Sequence, residues 1–142
     1  MAVNVYVNFD GNCREAVEFY AKVFVTEEPE IMTFGDMIPD PKFPVTEETK
    51  DLVLNASLII NESTVRFSDC YPGRPLVVGN NITLIIESKN MDEIKSLFDK
   101  LKEGGSVLME LQETFWSKCY GYLIDQFGIA WQLSYDSGRM DN

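Results

Sequence analysis

At 142 residues, with 45% apolar and 25% charged side chains, the chain is long enough to bury a core and balanced like an ordinary globular domain. Its net charge of −11 argues against nucleic acid or an anionic membrane as partner, since both would repel it. No apolar run approaches the ~18 residues needed to cross a bilayer, and the opening Met1-Ala-Val-Asn-Val5 lacks the basic segment of an export signal.

Residues 3–9 alternate. Val3, Val5, Val7 and Phe9 face one way and Asn4, Tyr6 and Asn8 the other, the mark of a strand with one core face. Gly11-Asn12 breaks it, Asn12 is a candidate N-cap, and a helix to about Phe24 carries the stripe Ala16, Val17, Tyr20, Val23, Phe24. A β-leaning piece, 30–34, leads into 35–51, whose three prolines and many charges predict a long surface loop or flap. Residues 52–60 are a strand, Asn61-Glu-Ser turns the chain, and 64–68 return.

Residues 69–80, with Pro72, Gly73, Pro75 and Gly79, read as a linker. The order then repeats. A strand at 82–87 precedes Asn90-Met-Asp-Glu93, which has the spacing of a capping box. The helix that follows presents Ile94, Leu97, Phe98 and Leu101 inward and ends at Gly104-Gly105. Strands at 106–110, 120–124 and 129–133 complete it, the last two joined by the turn Asp125-Gln-Phe-Gly128. In the last strand Ile129, Trp131 and Leu133 share a core face, and Ala130, Gln132 and Ser134 the other. A twofold β-α-β-β-β repeat of about 65 residues is legible from this pattern alone.

Cys13, Cys70 and Cys119 are an odd number without metal-type spacing, which suits a reduced, cytoplasmic protein. Asn55-Ala-Ser, Asn61-Glu-Ser and Asn81-Ile-Thr match the glycosylation pattern, which carries no weight without export.

Gln-x-Thr-Phe-Trp at 112–116, Tyr-Gly at 120–121 and Asp-x-Phe-Gly-x-x-Trp at 125–131 together resemble the C-terminal signature of PhnB-like proteins. These form a branch of the glyoxalase/bleomycin-resistance, or vicinal oxygen chelate, superfamily, also labelled demethylubiquinone methyltransferase-like. Residues 6–20 and Asn55-Ala-Ser-Leu resemble the same branch. The resemblance implies an α+β fold: two βαβββ modules forming a curved mixed-sheet cup with the helices outside. It implies one domain over 1–142, with module 1 at 1–70, a linker at 69–80 and module 2 at 81–136. It also implies a homodimer.

Metal-dependent members of the superfamily place His, Glu or Gln ligands at four cup-facing strand positions. The resemblance puts those positions at Asn4, Asn55, Asn81 and Gln132, in a chain with no histidine. Neutral amides are weak ligands for first-row dications. The expectation is therefore a site without metal or other cofactor, in which these amides orient a neutral or zwitterionic small molecule. Tyr6, Phe115, Trp116 and Tyr120 are candidates to complete its wall, against ordinary core packing of the same rings.

Other chemistry finds little support. A histidine-based dyad is impossible and no glycine-rich phosphate loop is present. Cys119 beside Lys118 has the spacing of an activated thiol but also of a small core residue. Glu110 and Glu113 flank the aromatic stretch with no assigned role, and Asp125 is accounted for as a turn residue. Four functions compete: a metal-free small-molecule binder; a lyase, isomerase or dioxygenase of the metal-dependent type; a methyltransferase, opposed by the lack of a glycine-rich strand–helix turn; and a regulatory dimer with a filled cup.

Overall fold

The computed structural model describes residues 1–137; residues 138–142 of the expected domain lie outside that range. The chain divides into two compact units, Met1–Val77 and a second beginning at Val78. Each is a βαβββ module with a four-stranded mixed sheet.

The first unit runs β1 (Val5–Phe9), α1 (Cys13–Phe24), β2 (Glu30–Thr33), β3 (Val53–Ile60) and β4 (Ser63–Asp69). The sheet order is β1-β4-β3-β2, with β1 parallel to β4 and the other pairs antiparallel. A parallel β1–β4 pair needs a long crossover, and α1 is part of it. Cys13, Ala16, Val17, Tyr20 and Val23 bury the inner stripe of α1. Tyr20 stacks on Phe67 of β4 at 5.8 Å between ring centroids.

Asn12 stands at the N-cap position of α1, but its side chain makes no capping bond. Asp69 does that work from the end of β4. Its Oδ1 accepts the amides of Gly11 and Cys13 at 2.9 and 3.0 Å, and its Oδ2 accepts that of Val53 at 2.9 Å. A full negative charge at the helix N-terminus serves better than a neutral amide.

The segment expected to be a loop, 35–51, opens with a 3₁₀ turn at Phe34–Asp36. Its ends meet, since Phe34 and Gly35 donate their amides to the carbonyls of Leu52 and Lys50. Inside it the Thr49 hydroxyl accepts the Thr46 amide at 2.8 Å. The segment is thus a closed Ω-type loop with its own internal bonds.

The second unit runs β5 (Leu84–Ser88), α2 (Met91–Leu101), β6 (Ser106–Gln112), β7 (Tyr120–Ile124) and β8 (Ala130–Tyr135), in sheet order β5-β8-β7-β6. Asn90 caps α2 by accepting the Glu93 amide at 3.1 Å. The reciprocal arm of the capping box is supplied by Ser88, whose hydroxyl accepts the Asn90 amide at 3.0 Å. Ile94, Leu97, Phe98 and Leu101 are buried, as their spacing predicts. α2 packs so closely that a β-carbon on Gly121 would lie 2.6 Å from Phe98 Cε2. At the β7–β8 hairpin, Gly128 takes φ +87, which explains glycine there.

Apart from β7, the strand limits differ from the sequence reading by one or two residues. β1 begins at Val5 and β5 at Leu84, while β8 continues past Leu133 to Tyr135. Alternation marks which way side chains point but not where ladder pairing stops.

Candidate functional site

The helix covers one face of each sheet, and the strand register identifies the residues on the other. In the second unit β5 and β8 pair in parallel, Ile85 opposite Gln132 and Glu87 opposite Ser134. β7 pairs with β8 so that Tyr122 faces Gln132 and Tyr120 faces Ser134. Trp131, Leu133 and Leu123 lie on the buried, helix-covered side. Gln132, Tyr120 and Tyr122 therefore share the opposite face, as alternation leads one to expect for Gln132.

On that face the side chains form a relay. The Tyr120 hydroxyl donates to Gln132 Oε1 at 2.6 Å, and Gln132 Nε2 donates to the Thr83 hydroxyl at 2.8 Å. Tyr120 is 7% exposed. Burial raises its phenol pKa, and the neighbouring Tyr122 adds to the rise. Tyr120 is thus a neutral phenol near pH 7, a donor rather than a base.

The aromatic loop after β6 adjoins this relay. The Thr114 amide and hydroxyl donate to the Ser117 carbonyl, and the Ser117 hydroxyl donates to the carbonyls of Cys119 and Tyr135 at 3.0 Å. These bonds hold the loop in a shape that pushes Phe115 and Trp116 outward, at 95% and 50% exposure. Trp116 meets Tyr120 edge-on at 5.1 Å, and Phe115 meets Trp116 edge-on at 4.7 Å. The core-packing alternative fails for Phe115 and holds for Trp131. Cys119 is buried, and its amide donates to the Ser117 hydroxyl.

Not every expected residue joins the relay. Asn81 precedes β5 and is exposed. Asn4, Tyr6 and Asn55 belong to the first unit. Asn4 just precedes β1, Tyr6 pairs with Arg66, and Asn55 pairs with Met32 of β2; all three are exposed.

The two units are in the same internal register, which sharpens the comparison between them. Val5 pairs with Val65 as Leu84 pairs with Trp131, so Arg66 is the counterpart of Gln132. By the same count Asn4 corresponds to Thr83. Ala56 pairs with Phe67 as Gly121 pairs with Leu133, which makes Asn55 the counterpart of Tyr120. Thr83, rather than Asn81, is therefore the repeat partner of Asn4. The sequence reading did not single out Thr83; alternation back from Leu84 and Ile86 was the available signal.

The superfamily's metal can be tested on this donor set. The chain has no histidine, and no three Cys, Asp or Glu side chains converge among the described residues. Gln132, which the resemblance assigns to a ligand position, is neutral and engages Tyr120 and Thr83 through its two amide atoms. The buried carboxylate Asp125 is held elsewhere, by the amides of Phe127 and Ile129 and the indole of Trp131. These groups do not fit a first-row dication, which needs charge-neutralising imidazole, thiolate or carboxylate.

A family model described as 3-demethylubiquinone-9 3-methyltransferase matches residues 2–134. The chain belongs to this PhnB-like family. Protein YjdN of Escherichia coli K12 is 30% identical over 94% of this chain and 95% of its own length. Protein PA1353 of Pseudomonas aeruginosa is 31% identical, covers 96% of this chain and 98% of its own, and superposes with a TM-score of 0.84. The PhnB protein of Bacillus cereus, described as a putative 3-demethylubiquinone-9 3-methyltransferase, is 26% identical over 96% and 100%, with a TM-score of 0.74. The fold is that of the glyoxalase/bleomycin-resistance proteins. A Frankia domain of that description, 12% identical over 95% and 96%, has a TM-score of 0.65. No helix among the described residues is long and apolar enough to cross a membrane.

Proposed function

We propose that this PhnB-like protein binds a small neutral or zwitterionic organic molecule on the open face of its second unit, without a metal. The observation that carries this reading is the relay Thr83–Gln132–Tyr120 with Trp116 against Tyr120. Each of the three polar side chains retains hydrogen-bonding capacity beyond the relay. Held by its two neighbours, Gln132 can orient a polar group without reorganising, while the Trp116 edge covers an apolar part. The proposed ligand-binding set also keeps Asn81 in the second unit and, separately in the first, Asn4, Tyr6 and Asn55; the protein is proposed to act as a homodimer.

A thermal-shift screen of neutral and zwitterionic metabolites, run with chelator, tests this. The expected hit stabilises the wild type and loses most of its effect in Gln132→Leu and Tyr120→Phe. Stabilisation that requires a divalent ion, and disappears with chelator, would favour a metal-dependent lyase, isomerase or dioxygenase instead. Calorimetry with S-adenosylmethionine addresses the methyltransferase reading, for which no glycine-rich strand–helix turn speaks. Light scattering reads the expected dimer.

A further inference from the structure

The first unit contains a cavity of about 230 Å³ beneath the 35–51 loop. It uses no residue of the second unit. Phe34, Phe43 and Tyr71 form its aromatic wall; the Tyr71 ring lies 5.4 Å from Phe34 and 5.5 Å from Phe43. The loop is latched over it, because the Tyr71 hydroxyl donates to the Pro44 carbonyl at 2.8 Å. Phe34 and Phe43 thus stand at 60° and 76° to the Tyr71 ring and form an aromatic corner held from both sides.

The polar groups of the cavity are unequally committed. Asp69 also borders it, but both its carboxylate oxygens already accept backbone amides, from Gly11 and Cys13 and from Val53. The Ser68 hydroxyl proton goes to Asn8 Oδ1 at 3.2 Å. Two donors at the cavity remain without an acceptor among the described residues: the Asn8 amide hydrogens and the Arg74 guanidinium. Arg74 takes no part in the ion pairs Lys50–Glu47 and Lys102–Asp99. Among the described residues it is left without an ion-pair partner, on a chain of net charge −11. Both donors are exposed, so they stand at the open mouth while the rings lie within.

We propose that this cavity is a second binding site, for a small aromatic carboxylate. The ring would lie against Phe34, Phe43 and Tyr71. The carboxylate would meet the fork of Arg74, which matches two oxygens at once, and the amide of Asn8. Both donors need an acceptor, and a carboxylate supplies two oxygens to meet them.

The test uses the ¹⁵N-labelled full chain, titrated with sodium benzoate and separately with benzamide, which has the same ring without the charge. Benzoate is expected to shift the amides of Asn8, Ser68, Tyr71 and Arg74 saturably. Arg74→Gln should weaken benzoate about tenfold, the effect of losing one charge-assisted contact, and leave benzamide unchanged. Arg74 is exposed, so an undisturbed spectrum verifies the variant's fold. Arg74→Lys should recover part of the affinity, since it keeps the charge and loses the fork. The proposal is overturned if benzoate gives no saturable shift in these amides. Equal binding of benzamide, or unchanged benzoate affinity in Arg74→Gln, overturns it too. Shifts confined to Tyr120, Gln132 and Trp116 would also reject it, while leaving the site in the second unit standing.

Discussion

The indole N–H of Trp131 donates to Asp125 Oδ2 at 2.9 Å, while Oδ1 of the same carboxylate accepts the amides of Phe127 and Ile129. One buried charge therefore closes the β7–β8 turn and anchors the largest side chain of β8. Asp125→Asn keeps an acceptor but turns an N–H toward another N–H. We expect it to cost about 1.5–3 kcal/mol, the range for bonds to charged groups. Urea unfolding should show a lower midpoint with an unchanged slope. An unchanged midpoint would mean that the carboxylate is dispensable.

Gly121 has no room for a side chain. A β-carbon there would lie 2.6 Å from Phe98 Cε2 and 2.8 Å from Leu111 Cδ2. Gly121→Ala should destabilise by about 1–3 kcal/mol through overpacking. Phe98→Leu in the same chain should recover part of that loss, so a double-mutant cycle ought to give a favourable coupling. Additive losses would contradict the close approach.

Val25 ends α1 in the left-handed region, with φ 51 and ψ 53. A β-branched residue is strained there, and glycine is the usual solution. Val25 is exposed and its side chain contributes little to the core. Val25→Gly should therefore raise stability by about 1 kcal/mol. A fall in the thermal midpoint would show that the side chain matters more than the backbone conformation.

Cys13 is fully buried, and burial pushes its thiol pKa from 9.0 up to about 12, with Asp69 adding to the rise. The folded state thus holds its proton after the unfolded chain has lost it. The stabilisation from this difference is present below pH 9 and is lost as pH climbs from 9 towards 12. Cys13→Ala should fall off less steeply than the wild type across that window. Native Cys13 should also resist iodoacetamide at pH 8.5, because the thiolate is the nucleophile. Rapid alkylation of the folded protein would disprove the assignment.

Tyr120 should be recognisable by absorbance. Its phenol pKa is raised, first by burial and then by Tyr122. In an alkaline titration near 295 nm, one tyrosine should ionise later than the ordinary value, and Tyr120→Phe should remove that step. Gln132→Leu should move the step down, since the carboxamide accepts from the protonated phenol and favours it. A step that ignores Gln132 would sever the relay on which the proposed site rests.

The repeat, both helices and the faces of the last strand were legible because they follow from local periodicity. Tyr120–Ile124 has the strand limits that its aromatic and branched residues predict. The inner face of α2 is equally direct. The cap of α1 was not legible. Asn12 has the right chemistry and the right place, yet Asp69, distant in sequence, arrives through the parallel β1–β4 pairing. For Thr83, alternation back from Leu84 and Ile86 marks the face but not the partner. Its bond to Gln132 exists because β5 lies beside β8.

The amino-acid order by itself determined that this is a PhnB-like chain of two βαβββ modules. Periodicity and residue chemistry act over a few residues, so they can be read along a line. Which groups meet was decided only by tertiary structure: Tyr120 with Gln132, Asp69 with the start of α1, and Tyr71 with Pro44 beneath the loop. Those pairs depend on strand order and register, which bring together residues whose separation along the chain carries no local signal.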